Sequence, residues 1–173
     1  FRQAGVDVEL ELASSSSNLM PMLATGRLHV LEGGVQANVF GAIAQGLPLI
    51  IAGDRASEPT GHHLLIRPEL KGVVKTIADL KGRRVVWNIR NGGLALQGRY
   101  LVDGLGLDPE KDFEAVYIEK LSDGPEMVIE GTVAALWGGG YRWPGFITVA
   151  SNTRGARFIA PSEQEIVRIR DKH

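Results

Sequence analysis

A thirteen-residue block that occurs twice constrains this chain more than any other feature. Met22-Leu-Ala-Thr-Gly-Arg-Leu-His-Val-Leu-Glu-Gly-Gly34 aligns without a gap on Met127-Val-Ile-Glu-Gly-Thr-Val-Ala-Ala-Leu-Trp-Gly-Gly139, a shift of 105 residues. The methionine, the first glycine, one leucine and the closing glycine pair are identical. The same shift places Ser17-Asn18 on Ser122-Asp123, and Val8 to Leu12 on Phe113 to Tyr117. One strand, polar loop, helix, strand and double-glycine turn thus recurs, which predicts two similar lobes.

The rest of the chain reads as alternating short elements. Val6 to Leu12 alternates apolar and acidic residues, the period-2 signature of a strand with one buried face. Ser14 to Asn18 is rich in N-capping residues ahead of a helix over Leu19 to Ala24. A strand over Leu28 to Leu31, a helix over Val35 to Gln45 and strands over Pro48 to Ala52 and Leu64 to Ile66 follow. Thr76 to Leu80 is an amphipathic turn. Then come strand Arg84 to Ile89, helix Gly93 to Gly104, strand Phe113 to Ile118, helix Pro125 to Glu130 and strand Val133 to Trp137. Helix Trp143 to Ala150, strand Ala156 to Ala160 and a helix opening at Ser162 complete the series. Strands separated by helices predict parallel sheets built from βαβ units. The expected division is a first lobe over 1–66, a second over 67–160 and the start of a helix over 161–173.

Composition narrows the function. Nineteen Lys and Arg balance 20 Asp and Glu, for a formal charge of -1, and no run of like charge could track a phosphate backbone, so nucleic acid is not an expected partner. With no cysteine, disulfides, thiolate zinc sites and cysteine nucleophiles are excluded. No apolar run reaches the roughly 18 residues of a membrane-spanning helix. His62 and His63 point to opposite faces of an extended segment, and His29 and His173 lack ligand spacing to them, so no metal is expected. Neither a catalytic constellation nor a G-x-G-x-x-G dinucleotide motif stands out, and the expectation is a binding protein without cofactor rather than an enzyme.

In α/β sheets ligands bind beyond the carboxyl ends of strands, where helix N-termini and hydroxyls replace the solute's water. Ser14, Ser15, Ser16 and Ser17 fit that place, as ligand donors or as simple caps. Gly34 and Gln36 follow the next strand end, in a ligand-facing or a packing turn. Arg90, Asn91 and Gly92 lead a strand into a helix, forming an anion cradle or a solvated turn. Asp123 occupies the repeat position of Asn18. Trp137, Tyr141 and Arg142 flank three glycines, and Trp137 is either core or cleft wall. Arg90 or Arg142 would hold a carboxylate or another anionic group.

Four segments carry a family resemblance: GVDVELELASSSSNLMPMLATGRLHVLEGG (5–34), AIAQGLPLIIAG (42–53), TIADLKGRRVVWNIRNGG (76–93) and GLGLDPEKDF (104–113). They resemble, in order, blocks of the type II periplasmic-binding-protein superfamily, in its NMT1-like and TAXI solute-receptor branch. WPGFITVASNTRGARFIAPSEQEIVRIRDKH (143–173) is similar to the later part of TAXI receptors, which serve TRAP transporters. The first three blocks resemble equally the nitrate, sulfonate and taurine receptors of ABC transporters. The resemblance implies an α/β fold of two Rossmann-like lobes, truncated at both ends, since the family's opening strand and closing helices have no counterpart. It further implies capture of a small anionic solute, of carboxylate or sulfonate type, for a transporter's membrane permease. Its location would be periplasmic or extracytoplasmic, lipoprotein anchoring included. Thiamine-precursor synthases and porphobilinogen deaminase share the scaffold but need cysteine. A cytoplasmic ligand-sensing regulatory domain, like the effector domains of LysR-type regulators, is the alternative reading, and an enzyme on this scaffold a third.

Overall fold

In the computed structural model, residues 2–13, 16–33, 37–53, 63–140 and 143–173 are described. The chain forms two compact units, 1–49 and 50–173.

The first unit holds two helices, α1 (Met20–Ala24) and α2 (Ala37–Ala44), with short 3-10 turns at Arg2–Ala4 and Ser16–Leu19. After α1 the chain reverses at Gly26, whose φ of 72° is open to glycine at little cost. The N–H groups of Arg27 and Leu28 both donate to the Met22 carbonyl, closing the helix end. Neither 6–12 nor 28–31 is a strand, contrary to the sequence expectation, and 48–52, spanning the unit boundary, is not one either.

The second unit carries a five-stranded sheet among the described residues: β1 (His63–Ile66), β2 (Arg84–Ile89), β3 (Glu114–Ile118), β4 (Ala135–Gly138) and β5 (Arg157–Ile159), in the order β3-β2-β4-β1-β5. β2 pairs in parallel with β3 and with β4. β1 runs antiparallel to β4 and β5, so the sheet is mixed rather than wholly parallel. β1, at the end of the stretch assigned to the first lobe, belongs to this sheet.

Helices α3 (Gly93–Gly104), α4 (Asp123–Glu130), α5 (Pro144–Ala150) and α6 (Glu163–Lys172) complete the unit. Alternation along the strands divides the core. Val85, Trp87, Ala135 and Trp137 face Val102 of α3 and Leu70 and Leu80 of two 3-10 turns. Val86 and Leu136 face Val128 of α4 and Phe146 and Val149 of α5. α6 lies on α3 at Gly104, where a Cβ would stand 2.7 Å from the Ile169 Cα. Ser162 and Glu165 cap α6 reciprocally.

The repeat survives at its turn. Gly131 (φ 80°) ends α4 as Gly26 ends α1. Gly131 N–H donates to Val128 and Thr132 N–H to Met127 at 3.1 and 3.0 Å, while Gly26 and Arg27 donate to Leu23 and Met22 at 3.2 and 2.9 Å. Every partner is shifted by the same 105 residues.

Candidate functional site

Because β2, β3 and β4 run parallel, their carboxyl ends lie along one edge of the sheet, and each delivers the chain to a helix N-terminus. The connections are 90–92 into α3, 119–122 into α4 and 139–143 into α5. The starts of α3, α4 and α5 carry no side-chain cap, but only α3 offers first-turn N–H groups and the positive dipole end unopposed, since α4 has Asp123 and Glu126 in its first turn and α5 opens on Pro144. α6 is closed further by its capping box, in which Ser162 and Glu165 satisfy each other's backbone N–H groups.

The β2–α3 connection is the most elaborated of the three. Asn88 and Asn91 both hold positive φ, 77° and 62°, a region that asparagine tolerates better than most residues. Gly92 is buried, and its N–H donates to the Ile89 carbonyl at 2.9 Å. A Cβ there would stand 3.0 Å from that oxygen, so the tight approach selects glycine. Arg90 is exposed but engaged. Its guanidinium carbon lies 3.9 Å from the centre of the Tyr117 ring, and Nη1 is 3.6 Å from Glu110 Oε1. Tyr117 O–H donates to the same carboxylate at 2.7 Å, and Arg99 reaches it at 3.9 Å. Burial first, and then the hydrogen bond to Glu110, push the Tyr117 phenol above its usual range.

Asp123 opens α4. Its carboxylate accepts from Lys120 N–H at 3.4 Å and Ser122 O–H at 3.2 Å, which closes its own loop.

Trp137 is corrected from cleft wall to core. It is 1% exposed, and its indole N–H donates to the Leu94 carbonyl at 2.6 Å. The glycines beside it serve packing as well. A Cβ on Gly138 would stand 2.7 Å from the Trp143 ring, and one on Gly139 3.3 Å from Trp143 Cβ. Ser14, Ser15, Gly34, Gln36, Tyr141 and Arg142 lie outside the described residues, as do the side chains of Ser16 and Ser17. Arg90, Asn91 and Gly92 form one turn, and Asp123 starts the helix after the neighbouring strand on that edge.

Sequence reasoning missed Asn88. It is 2% exposed and the only buried polar side chain among the described residues. The signal was there, a lone amide inside the apolar run Val85-Val86-Trp87-Asn88-Ile89. Tyr117 and Glu110, which engage Arg90, were also missed, because the contact joins separate elements. Among the described residues no group of three or more His, Asp or Glu could hold a metal ion, and no helix is long and apolar enough to cross a membrane.

A family model described as NMT1/THI5 like matches residues 1–171. No curated protein matches the chain. Among solved structures, the chain is similar to the periplasmic aliphatic sulphonate binding protein of Escherichia coli, at 23% identity and a TM-score of 0.55, over 83% of this chain and 46% of that one. It is similar to the GluR0 ligand-binding core in complex with L-glutamate, at 17% identity and 0.56, over 98% and 77%. It is also similar to an ABC transporter periplasmic binding protein from Brucella ovis with glutathione bound, at 13% and 0.57, over 85% and 43%. The chain therefore spans about half the length of the first and third of these. At such identities the likeness establishes the fold, that of the type II periplasmic binding proteins.

Proposed function

The chain belongs to the NMT1/THI5-like family, and from that premise we propose that it is an extracytoplasmic solute-binding receptor. It captures a small organic anion of carboxylate or sulfonate type and hands it to the permease of a transporter. The observation that carries this reading is the uncapped start of α3, free of acidic residues in its first turn, behind the Arg90-Asn91-Gly92 turn at the carboxyl edge of the parallel strands. Such an edge supplies N–H donors and positive potential without a proton-transfer pair, which suits binding rather than turnover.

The ligands named for the similar structures, a sulphonate, L-glutamate, glutathione, arginine and glutamine, each carry an acidic group, which supports a carboxylate or sulfonate group on the solute. The Brucella ovis protein is described with an ABC transporter, which favours an ABC partner over the TRAP partner that the TAXI-like segment suggests. Asn91, Gly92 and Arg90 are the proposed anion contacts, with Asp123 at the neighbouring helix start. Tyr141 and Arg142, in the connection that leads into α5, are proposed as further contacts. The solute's acidic group competes with Glu110 for the Arg90 guanidinium.

Calorimetric titration of the chain with taurine, L-glutamate, L-arginine, glutathione and glucose tests this. A charge-assisted hydrogen bond contributes about 1.5 to 3 kcal/mol, so Arg90→Ala should weaken binding of the acidic solute by about one to two decades. Tight binding of glucose, or an acidic solute indifferent to Arg90→Ala, refutes the anion assignment.

A further inference from the structure

The residue that the binding reading leaves unexplained is Asn88. β2 is the strand between β3 and β4, and its pairing with β3 slips between Val86 and Ile89. Asn88 sits in that slip with φ at 77°. Glycine would occupy such a conformation without steric cost, so the kink alone does not call for an amide. The amide is used on both sides. Its Nδ2 donates to the Trp137 carbonyl at 3.2 Å, and its Oδ1 accepts from Ile89 N–H at 3.1 Å. The first bond ties the end of β2 to the end of β4.

Trp137 continues the connection. Its indole N–H donates to the Leu94 carbonyl in the first turn of α3. It lies against Gly98, where a Cβ would stand 3.0 Å from Trp137 Nε1 and 3.0 Å from Trp87 Cε3. Asn88 and Trp137 are both buried, so little water competes for these bonds. The 90–92 turn is strung between Asn88 on one side and Leu94 on the other.

We propose that Asn88 and Trp137 are positioning residues that lock the first turn of α3 and the Arg90-Asn91-Gly92 turn in the orientation that receives the solute's acidic group. A residue outside the proposed contact set thus governs affinity, through a conformation that the rest of the strand does not need. The inference rests on the anion-binding reading, but the lock itself has a solute-independent signature.

Asn88→Gly keeps the backbone conformation and removes the amide, and Trp137→Phe keeps a ring and removes the indole N–H. The amides of Gly92 and Leu96, which donate to the Ile89 and Gly92 carbonyls, should exchange at least about tenfold faster in each variant, with the Glu126 amide of α4 unchanged. Affinity for whichever of taurine, L-glutamate or glutathione binds the wild-type chain should fall about tenfold or more in either variant. The double variant should be no weaker than the worse single one, because the two residues act in series. Unchanged exchange at Gly92 and Leu96 overturns the lock whatever binds. Quickened exchange with unchanged affinity, or fully additive losses, overturns the positioning role. If none of the three solutes binds the wild-type chain, the anion-binding reading fails while the exchange measurement still decides the lock. Should Trp137→Phe fail to fold, Asn88→Gly alone carries both measurements.

Discussion

The turns at Gly26 and Gly131 share a left-handed glycine and two backbone hydrogen bonds in matching positions, yet only the second is followed by a strand. The difference separates what a segment does alone from what it does with neighbours. A helix end closed by a left-handed glycine satisfies its carbonyls within a few residues and needs nothing distant. A strand presents a row of donors and acceptors that only another strand can pair. In the second copy, β3 and β4 both hydrogen-bond to β2 and not to each other. In the first copy, 8–12 and 28–31 are paired with no strand among the described residues. The consequence is visible in exposure: Leu12 is 95% and Val30 80% exposed, while Leu136 is wholly buried.

Truncating the leucine that the two copies share should give the largest contrast. Leu136→Ala removes a core side chain and should cost about 2 to 5 kcal/mol. Leu31→Ala, at a half-buried position without a sheet, should cost under about 1 kcal/mol. All three tryptophans, Trp87, Trp137 and Trp143, lie in the second unit. Urea unfolding followed by tryptophan fluorescence therefore reports Leu136→Ala directly, while the Leu31 variant is read from far-ultraviolet dichroism. Equal losses in the two variants would mean that the first copy is as well packed as the second.

The glycines come next. Alanine at either position must hold a left-handed conformation, at a cost of about 1 to 2 kcal/mol. Gly131→Ala should show this as a lower urea midpoint, with a further small loss because a Cβ would stand 2.9 Å from the Arg67 guanidinium that donates to the Gly131 carbonyl. Gly26→Ala should quicken exchange of the Arg27 and Leu28 amides by about tenfold. An unchanged rate there would break the parallel between the turns.

The same contrast explains what was legible in the sequence. Helix 93–104 and strand 84–89 were readable to the residue, because glycines bracket the helix and a run of β-branched residues marks the strand. The three expected strands of the amino-terminal region were not formed, since period-2 alternation names a face and not a partner. β1 was placed correctly, but its antiparallel direction lies in the pairing with β4 and β5, which no local pattern records. At the candidate site the Arg90 turn was readable from its glycines. The burial of Trp137 and the kink at Asn88 were not, because each follows from a contact across the sheet.

The smallest expected effect concerns the turn that leads into β3. Backbone N–H groups hold two of its carboxylates below their usual range: Glu110 N–H for Asp108, and Asp108 N–H for Asp112, with the Lys81 ammonium adding to the latter. The shift that aligns the repeats puts Gln3 opposite Asp108 and Asp7 opposite Asp112, so the first copy keeps one of the two carboxylates. A depressed folded value means that the ionised carboxylate is favoured by folding. Its stabilisation is complete above the unfolded value of about 3.9 and is lost as pH falls through the lower folded value. Asp79, held low by the N–H groups of Lys75 and Thr76, contributes in the same direction. The urea midpoint read by tryptophan fluorescence should therefore fall as pH drops below about 4. Asp108→Asn and Asp112→Asn should flatten that fall while lowering the midpoint slightly at neutral pH, since an amide side chain still accepts the N–H but carries no charge. Both carboxylates are partly open to solvent, which screens them, so the change should be modest beside the leucine and glycine effects. A midpoint that rises on acidification, or that falls equally in the asparagine variants, would show that these turns do not carry the acid response of the second unit.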